Sequence, residues 1–367
     1  MDKLVNKIKL ILVILVVLLL IGCSGTIEAN NITMEKEPKF GGVFIHFSID
    51  EFNDLGFEYG DSINFKFSNG YELNDIGYFD GFYVKNDTIL LCAYPGYKYV
   101  YLVNYNGEEL ADMIHYDDSV TVNIRLNEKG KYLKTQQALK MVYTSNRDDY
   151  SSDIVFANFR CIEGGNIKPN LFYRSASPCD NQYNRATYAD KLIKEANVQT
   201  IIDMSDSKDD IDKYYNDSSL DCPYWKQLYE NDRVFPFSFS SNYYSDTFKA
   251  KVKQAMEVII NNNGPYLIHC LEGKDRTGFL CALVESLSGF TRQELEDDYM
   301  VTYDNYYGYN KTSNKDKYDA IIEAKFMDIY DCISNNSDSI LDGAKSYLIS
   351  CGMNNEEIDT LINKITK

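Results

Sequence analysis

Ten consecutive residues, His269-Cys270-Leu271-Glu272-Gly273-Lys274-Asp275-Arg276-Thr277-Gly278, carry the chemistry that the chain declares most openly. Cleaving a phosphate ester without a metal needs a nucleophile, a cradle for the charged oxygens and a proton donor for the leaving oxygen. Cys270 offers the nucleophile and would form a phosphocysteine intermediate. The apolar run Pro265-Tyr266-Leu267-Ile268 predicts a strand before it, and Phe279-Leu280-Cys281-Ala282-Leu283-Val284 a buried helix after it. The amides of Leu271, Glu272, Gly273 and Lys274 would then face inward at a helix N-terminus, an anion site whose field also favours the thiolate.

Arg276 brings a planar guanidinium that can hold two phosphate oxygens in a fork, which Lys cannot do. Gly273 lets the loop turn with its backbone close to the anion, and Gly278 lets the helix approach the sheet. The Thr277 hydroxyl is expected to donate to the Cys270 sulfur and ease its departure, and His269 to orient the loop. A Cys and an Arg at this spacing recur by chance; the full string, between a strand and a helix, does not.

At these residues the chain resembles the bacterial tyrosine phosphatase family whose loop reads His-Cys-x-x-Gly-Lys-Asp-Arg-Thr-Gly, including secreted members that also accept phosphoinositides. Asn158-Phe159-Arg160 and Leu171-Phe172-Tyr173-Arg174-Ser175 resemble two earlier segments of that family, with Cys161 where relatives often carry Asp. The resemblance implies a cysteine-phosphatase fold and gives Asp275 the role of general acid. Asp206, Asp209 and Asp210, just after an apolar strand, are the alternatives, since other tyrosine phosphatases use an Asp on a separate loop. Asp203 and Arg174 read as structural partners near the site.

The elements that must position this loop fall in the second half. Val198–Met204 reads as a buried strand, Tyr183–Ala196 and Phe248–Ile260 as amphipathic helices, and Thr291–Lys367 as helical with breaks near 310–314, 335–336 and 352–354. An α/β catalytic domain over 150–367, with a central sheet flanked by helices, follows. Before it, alternation at Val43, Ile45, Phe47, at Ile63, Phe65, Phe67 and at Val120, Val122, Ile124, Leu126 predicts half-buried strands of a small all-β domain over 41–140.

At the start, Lys3, Lys7 and Lys9 precede an apolar run from Leu10 to Ile21 that is short for a membrane span, followed by Gly22-Cys23-Ser24. This predicts a lipoprotein signal over 1–22, lipidation of Cys23, a tether over 23–40, and export to the outer face of a bacterial cytoplasmic membrane. The formal charge of -18 over 367 residues disfavours nucleic acid as a partner. Nine cysteines show no metal-ligand spacing, so no metal or other cofactor is expected. The expected activity is hydrolysis of phosphotyrosine, with phosphoserine, phosphothreonine or phosphoinositides as additional substrates. The alternatives are an inositol-phosphate hydrolase, or a surface binding protein with a vestigial phosphatase domain.

Overall fold

The computed structural model describes residues 26–38 and 40–367, so the leader over 1–22 and Cys23 lie outside the described residues. Contacts divide the chain into two units. One holds the described residues up to Phe82 with Ile89–Asn104 and Glu108–Leu133; the other holds Tyr83–Thr88, Tyr105–Gly107 and Lys134–Lys367. Among the described residues no helix is long and apolar enough to cross a membrane.

The first unit is built on an eight-stranded sheet. Its strands are β1 (Glu28–Ile32), β2 (Met34–Lys36), β3 (Val43–Ile45), β4 (Ser62–Phe67), β5 (Glu72–Phe79), β6 (Thr88–Cys92), β7 (Val100–Tyr105) and β8 (Val122–Glu128), in the order β1-β8-β4-β5-β6-β7-β3-β2. Ile63, Phe65 and Phe67 of β4 and Val122 and Ile124 of β8 are buried in one core, as their alternation requires. The sheet begins at Glu28, inside the stretch read as a tether. Ala29 of β1 and Met34 of β2 are buried and Ile32 packs against the same core, but an irregular register between Ala29 and Ile32 breaks the alternation, so these edge strands carry no period-two signal.

The second unit is built on a five-stranded sheet of β9 (Arg160–Cys161), β10 (Phe172–Ser175), β11 (Thr200–Asp203), β12 (Val234–Pro236) and β13 (Tyr266–His269), in the order β12-β11-β13-β10-β9. β10 to β13 run parallel, and β9 pairs antiparallel with β10. Side chains alternate between two cores: Phe172, Ile202, Tyr266 and Ile268 enter one, and Tyr173, Ile201 and Leu267 the other. Helices cover both faces, which is why β10, β11 and β13 are buried at every residue and show no alternation of buried and exposed positions. This is the expected cysteine-phosphatase architecture.

Helices Ala186–Glu195 and Asp246–Asn261 form where their apolar spacing places them, and the tail folds into helices interrupted near the three expected breaks. Two short helices, Lys208–Asn216 and Pro223–Glu230, also flank the sheet. The unit begins earlier than residue 150: Ala138 and Leu139 are already part of its main core. It also takes in two short segments from the strand-rich half, where Asn86 Nδ2 donates to Asp328 Oδ2 at 2.8 Å and Asn242 Nδ2 to the Asn106 carbonyl at 2.9 Å.

Candidate active site

Open parallel sheets bind ligands at the carboxyl ends of their strands. Here β13 ends at His269, the chain passes through Cys270 to Lys274, and a helix runs from Asp275 to Leu287. Three loop carbonyls are taken by groups from elsewhere in the fold, and a fourth by the first turn of the helix itself. Ser177 N donates to Leu271 O at 3.1 Å, Tyr306 Oη to Glu272 O at 2.8 Å, Arg174 Nη2 to Gly273 O at 3.0 Å, and Gly278 N to Lys274 O at 2.7 Å. Asn158 Nδ2 reaches the carbonyls of both Glu272 and Gly273, at 3.3 and 3.2 Å. With the carbonyls committed outward, the amides from Leu271 to Lys274 face the other way, and none donates to another described residue. Such a ring of amides at a helix N-terminus is a receptor for a multiply charged oxyanion.

The loop closes because of Gly273. Its backbone adopts φ +67°, and a Cβ there would stand 2.2 Å from the Ser175 carbonyl oxygen, so only glycine fits. Gly278 is also needed, although for a different neighbour from the expected one. A Cβ there would lie 2.7 Å from the ring of Tyr299 on the helix Arg292–Tyr307, so it is that helix, not the sheet, that approaches.

Cys270 is buried at 3% exposure on the floor of the loop. Arg276 directs Nη1 toward the carbonyls of Met204 and Phe239, at 3.5 and 3.4 Å, long contacts that a phosphate can displace. Thr277 Oγ1 is fully buried and has no hydrogen-bond partner among the described residues, so the expected bond to the Cys270 sulfur is not made.

Behind the loop stands an ion-pair cluster in which Arg174, expected as a structural partner, meets Asp298, which the sequence did not single out. Asp298 bonds Arg174 and, at 2.8 Å, Arg160 Nε, while Arg160 Nη1 donates to Asn158 Oδ1 at 3.0 Å. Asp298 thereby fixes the two groups, Arg174 and Asn158, that hold the Glu272 and Gly273 carbonyls. The Glu272 carboxylate accepts from Tyr143 Oη and pairs with Lys274 Nζ at 3.2 Å. Glu272 and Lys274 thus buttress the cradle with their side chains, while their amides complete it. Tyr143 precedes the expected domain boundary.

Asp275 opens the helix with 42% of its side chain exposed, within reach of a leaving group. Its Oδ1 accepts from Tyr299 Oη at 3.0 Å and from Tyr303 Oη at 3.4 Å, and Lys274 Nζ lies 3.8 Å from its Oδ2. Partial burial opposes its ionisation, but Lys274, Lys325, Tyr299 and Arg276 outweigh that and hold the carboxyl below its ordinary range. Lys325 comes from a π-helical turn, Ile322–Phe326, that the sequence did not disclose.

The three alternative acids fare differently. Asp210 caps its own helix, where Ser207 and Lys213 lower its carboxyl to about 2. Asp209 is exposed on the same helix. Asp206 is buried at 6% exposure, pushed up by burial and by Asp203. His269 is wholly buried, and burial pushes its imidazole down.

Residues 156–367, more than half of the chain, match the model of the tyrosine phosphatase family. No curated protein matches the chain. Among solved structures, the core catalytic domain of the PP-IP phosphatase SIW14 from S. cerevisiae, in complex with citrate, is 18% identical. It covers 51% of this chain and 95% of its own, with a TM-score of 0.29. TpbA from P. aeruginosa, in complex with pTyr, is 14% identical over 52% of this chain and 95% of its own, with a TM-score of 0.29.

Proposed function

The chain belongs to the tyrosine phosphatase family, and from that premise we propose a metal-independent phosphatase that hydrolyses phosphotyrosine through a phosphocysteine intermediate. The observation that carries this reading is the outward commitment of the loop carbonyls around Cys270, which leaves a cradle of amides for the phosphoryl oxygens. Cys270 Sγ attacks phosphorus in line, the P–O ester bond breaks as the P–S bond forms, and Asp275 gives its proton to the departing oxygen. Arg276 holds two non-bridging oxygens while their charge redistributes. Water, relieved of a proton by the Asp275 carboxylate, then displaces the thiolate and frees phosphate.

Phosphoinositides are a second substrate class. Lys274 and Lys325 both act on Asp275, so two cations beyond Arg276 lie within electrostatic reach of the acid and suit a substrate with more than one phosphate. Initial rates on phosphotyrosine peptides, phosphoserine peptides, phosphoinositides and soluble inositol phosphates test the assignment. A preference for phosphotyrosine supports it, and turnover confined to inositol phosphates replaces it. The basic, apolar leader ending at Gly22-Cys23 supports export and anchoring through acyl chains on Cys23. Fatty-acid labelling that disappears in Cys23→Ala tests the anchor, and a lipid-free mature N-terminus elsewhere refutes it.

A further inference from the structure

Beneath the phosphate loop lies a buried group of ligating side chains that the phosphatase mechanism does not use. Asp203 ends β11 and His269 ends β13, directly opposite each other in the parallel register. Asp206 follows two residues beyond Met204, and Cys179 comes from the segment after β10, which Ser177 N ties to the Leu271 carbonyl at 3.1 Å. Asp203 and His269 are at 0% exposure, Cys179 at 1% and Asp206 at 6%.

The bonding within this group is lopsided. Asp203 Oδ1 accepts from Ser205 N at 2.8 Å, Ser205 Oγ at 3.0 Å and Asp206 N at 3.1 Å, whereas Oδ2 has no hydrogen-bond partner among the described residues. His269 Nδ1 faces the Cys270 carbonyl at 3.4 Å, whereas Nε2 likewise has no partner. The two bare atoms point at each other across 3.9 Å, too far for a hydrogen bond. One ligand atom from each of Cys179, Asp203 and Asp206 also lies within 4.8 Å of the others. In four-coordinate zinc, bonds of about 2.0–2.3 Å hold ligand atoms roughly 3.3–3.8 Å apart. The His269–Asp203 gap is already near that value, and the atoms of Cys179, Asp203 and Asp206 need to close by up to about 1.5 Å. His269 stands outside the set whose atoms all lie within 4.8 Å of one another and has further to move toward Cys179 or Asp206.

From this geometry we propose a buried binding site for a zinc-class divalent cation, formed by Cys179 Sγ, Asp203 Oδ2, the Asp206 carboxylate and His269 Nε2. Thiolate, imidazole and carboxylate together suit a borderline cation such as Zn²⁺ and not a hard one such as Mg²⁺. Two buried carboxylates and a thiolate without a cation would be costly to ionise, and a dication removes most of that cost. Binding releases the Cys179 thiol proton to solvent, so affinity rises with pH. Ligation at Nε2 leaves the His269 proton on Nδ1, where it donates to the Cys270 carbonyl and steadies the start of the loop. The four ligands come from three separated segments, which is why no ligand spacing shows in the chain. The site is independent of the substrate and takes no part in phosphoryl transfer.

The test uses the full chain carrying Cys270→Ser, which removes the nucleophile as a competing sulfur ligand. Titration with Zn²⁺ should show one tight equivalent, more tightly held at higher pH, with a rise in melting temperature. Co²⁺ should give thiolate charge-transfer and intense visible bands. Cys179→Ser and Asp206→Asn in that background should each weaken binding by at least about ten-fold and, for Cys179→Ser, remove the charge-transfer band. X-ray absorption of the Zn²⁺-loaded Cys270→Ser chain, which needs no further variant to fold, should read one sulfur and three nitrogen or oxygen ligands. Absence of stoichiometric binding, a shell without sulfur, or affinity unchanged in both folded variants overturns the site and assigns the gap to a bridging water or a shared proton.

Discussion

Tyr299 Oη donates to Asp275 Oδ1 at 3.0 Å, so the residue assigned as general acid is held in its ionised form by a tyrosine on a neighbouring helix. A general acid must begin the reaction protonated, and here Lys274, Lys325 and Arg276 reinforce Tyr299 against that state. A bound phosphate dianion reverses the balance, because it takes up Arg276 and adds its own charge beside the carboxylate. The limb of activity lost as Asp275 deprotonates should therefore lie at higher pH in kcat than in kcat/KM. Tyr299→Phe removes a donor to the charged form, so the kcat/KM limb should move to higher pH. Rate profiles with p-nitrophenyl phosphate read both shifts. Identical limbs in kcat and kcat/KM, unmoved by Tyr299→Phe, would take the acid role from Asp275 and return it to the alternatives Asp206, Asp209 and Asp210.

Cys270→Ser should lower turnover by on the order of 10⁴-fold or more, since the hydroxyl is a far weaker nucleophile at the same position. Affinity for tungstate should persist, because the cradle is made of amides and Arg276. Calorimetric titration checks this. Loss of tungstate binding together with turnover would show that the sulfur itself, not the amide ring, organises the site.

Asp298→Asn leaves Arg160 and Arg174 without their shared carboxylate, and breaking a buried pair in this way costs roughly 3–5 kcal/mol. The sign of its pH dependence follows from the direction of the shift. Burial would raise the Asp298 carboxyl, but Arg160 and Arg174 outweigh it and hold it well below the ordinary range. The stability it contributes is present above the unfolded value near about 3.9 and is lost as pH falls through the lower folded value. The difference in melting temperature between wild type and Asp298→Asn should thus be large at pH 7 and shrink only in strong acid. An unchanged gap down to the acid end would remove the ionised Asp298 from the account.

The loop and its flanking strand and helix were legible because their signals are local: an apolar run, ten residues of compatible chemistry, then another apolar run. Its supports were not. Asp298 and Tyr306 lie on a helix that also buries Leu295, Tyr299, Met300, Thr302 and Tyr303, so its pattern shows no clean apolar stripe to mark which polar residue turns inward. Tyr143 read as part of a connection, yet it touches Glu272, 129 residues later. The boundary between units blurred for a related reason. Asn86 and Asn106 lie in turns beside strands, and nothing local announces that they bond Asp328 and Asn242 far along the chain.

Lys274 and Lys325 should separate the two substrate classes. Lys274 keeps only 13% of its side chain exposed and pairs with Glu272 at 3.2 Å and Asp275 at 3.8 Å, so its ammonium is already fixed at the lip of the cradle. Lys325 Nζ lies 5.8 Å from the centre of the Tyr105 ring, and from the π-helical turn its charge acts on the Asp275 carboxyl. A phosphotyrosine peptide brings one phosphate, which the amides and Arg276 satisfy. A phosphoinositide brings further phosphates, which need cations outside the cradle. Lys325→Met should therefore raise KM for a phosphoinositide by about ten-fold, or ~1.4 kcal/mol, while leaving KM for a phosphotyrosine peptide nearly unchanged. Lys274→Met should raise both, the phosphoinositide more, because it also releases Glu272 from the loop. Both variants should move the Asp275 limb to higher pH, since each removes a cation that favours the carboxylate. Steady-state kinetics on the two substrates across pH decide the matter. Equal effects of Lys325→Met on both KM values would place Lys325 among the groups that tune the acid and remove it from substrate choice.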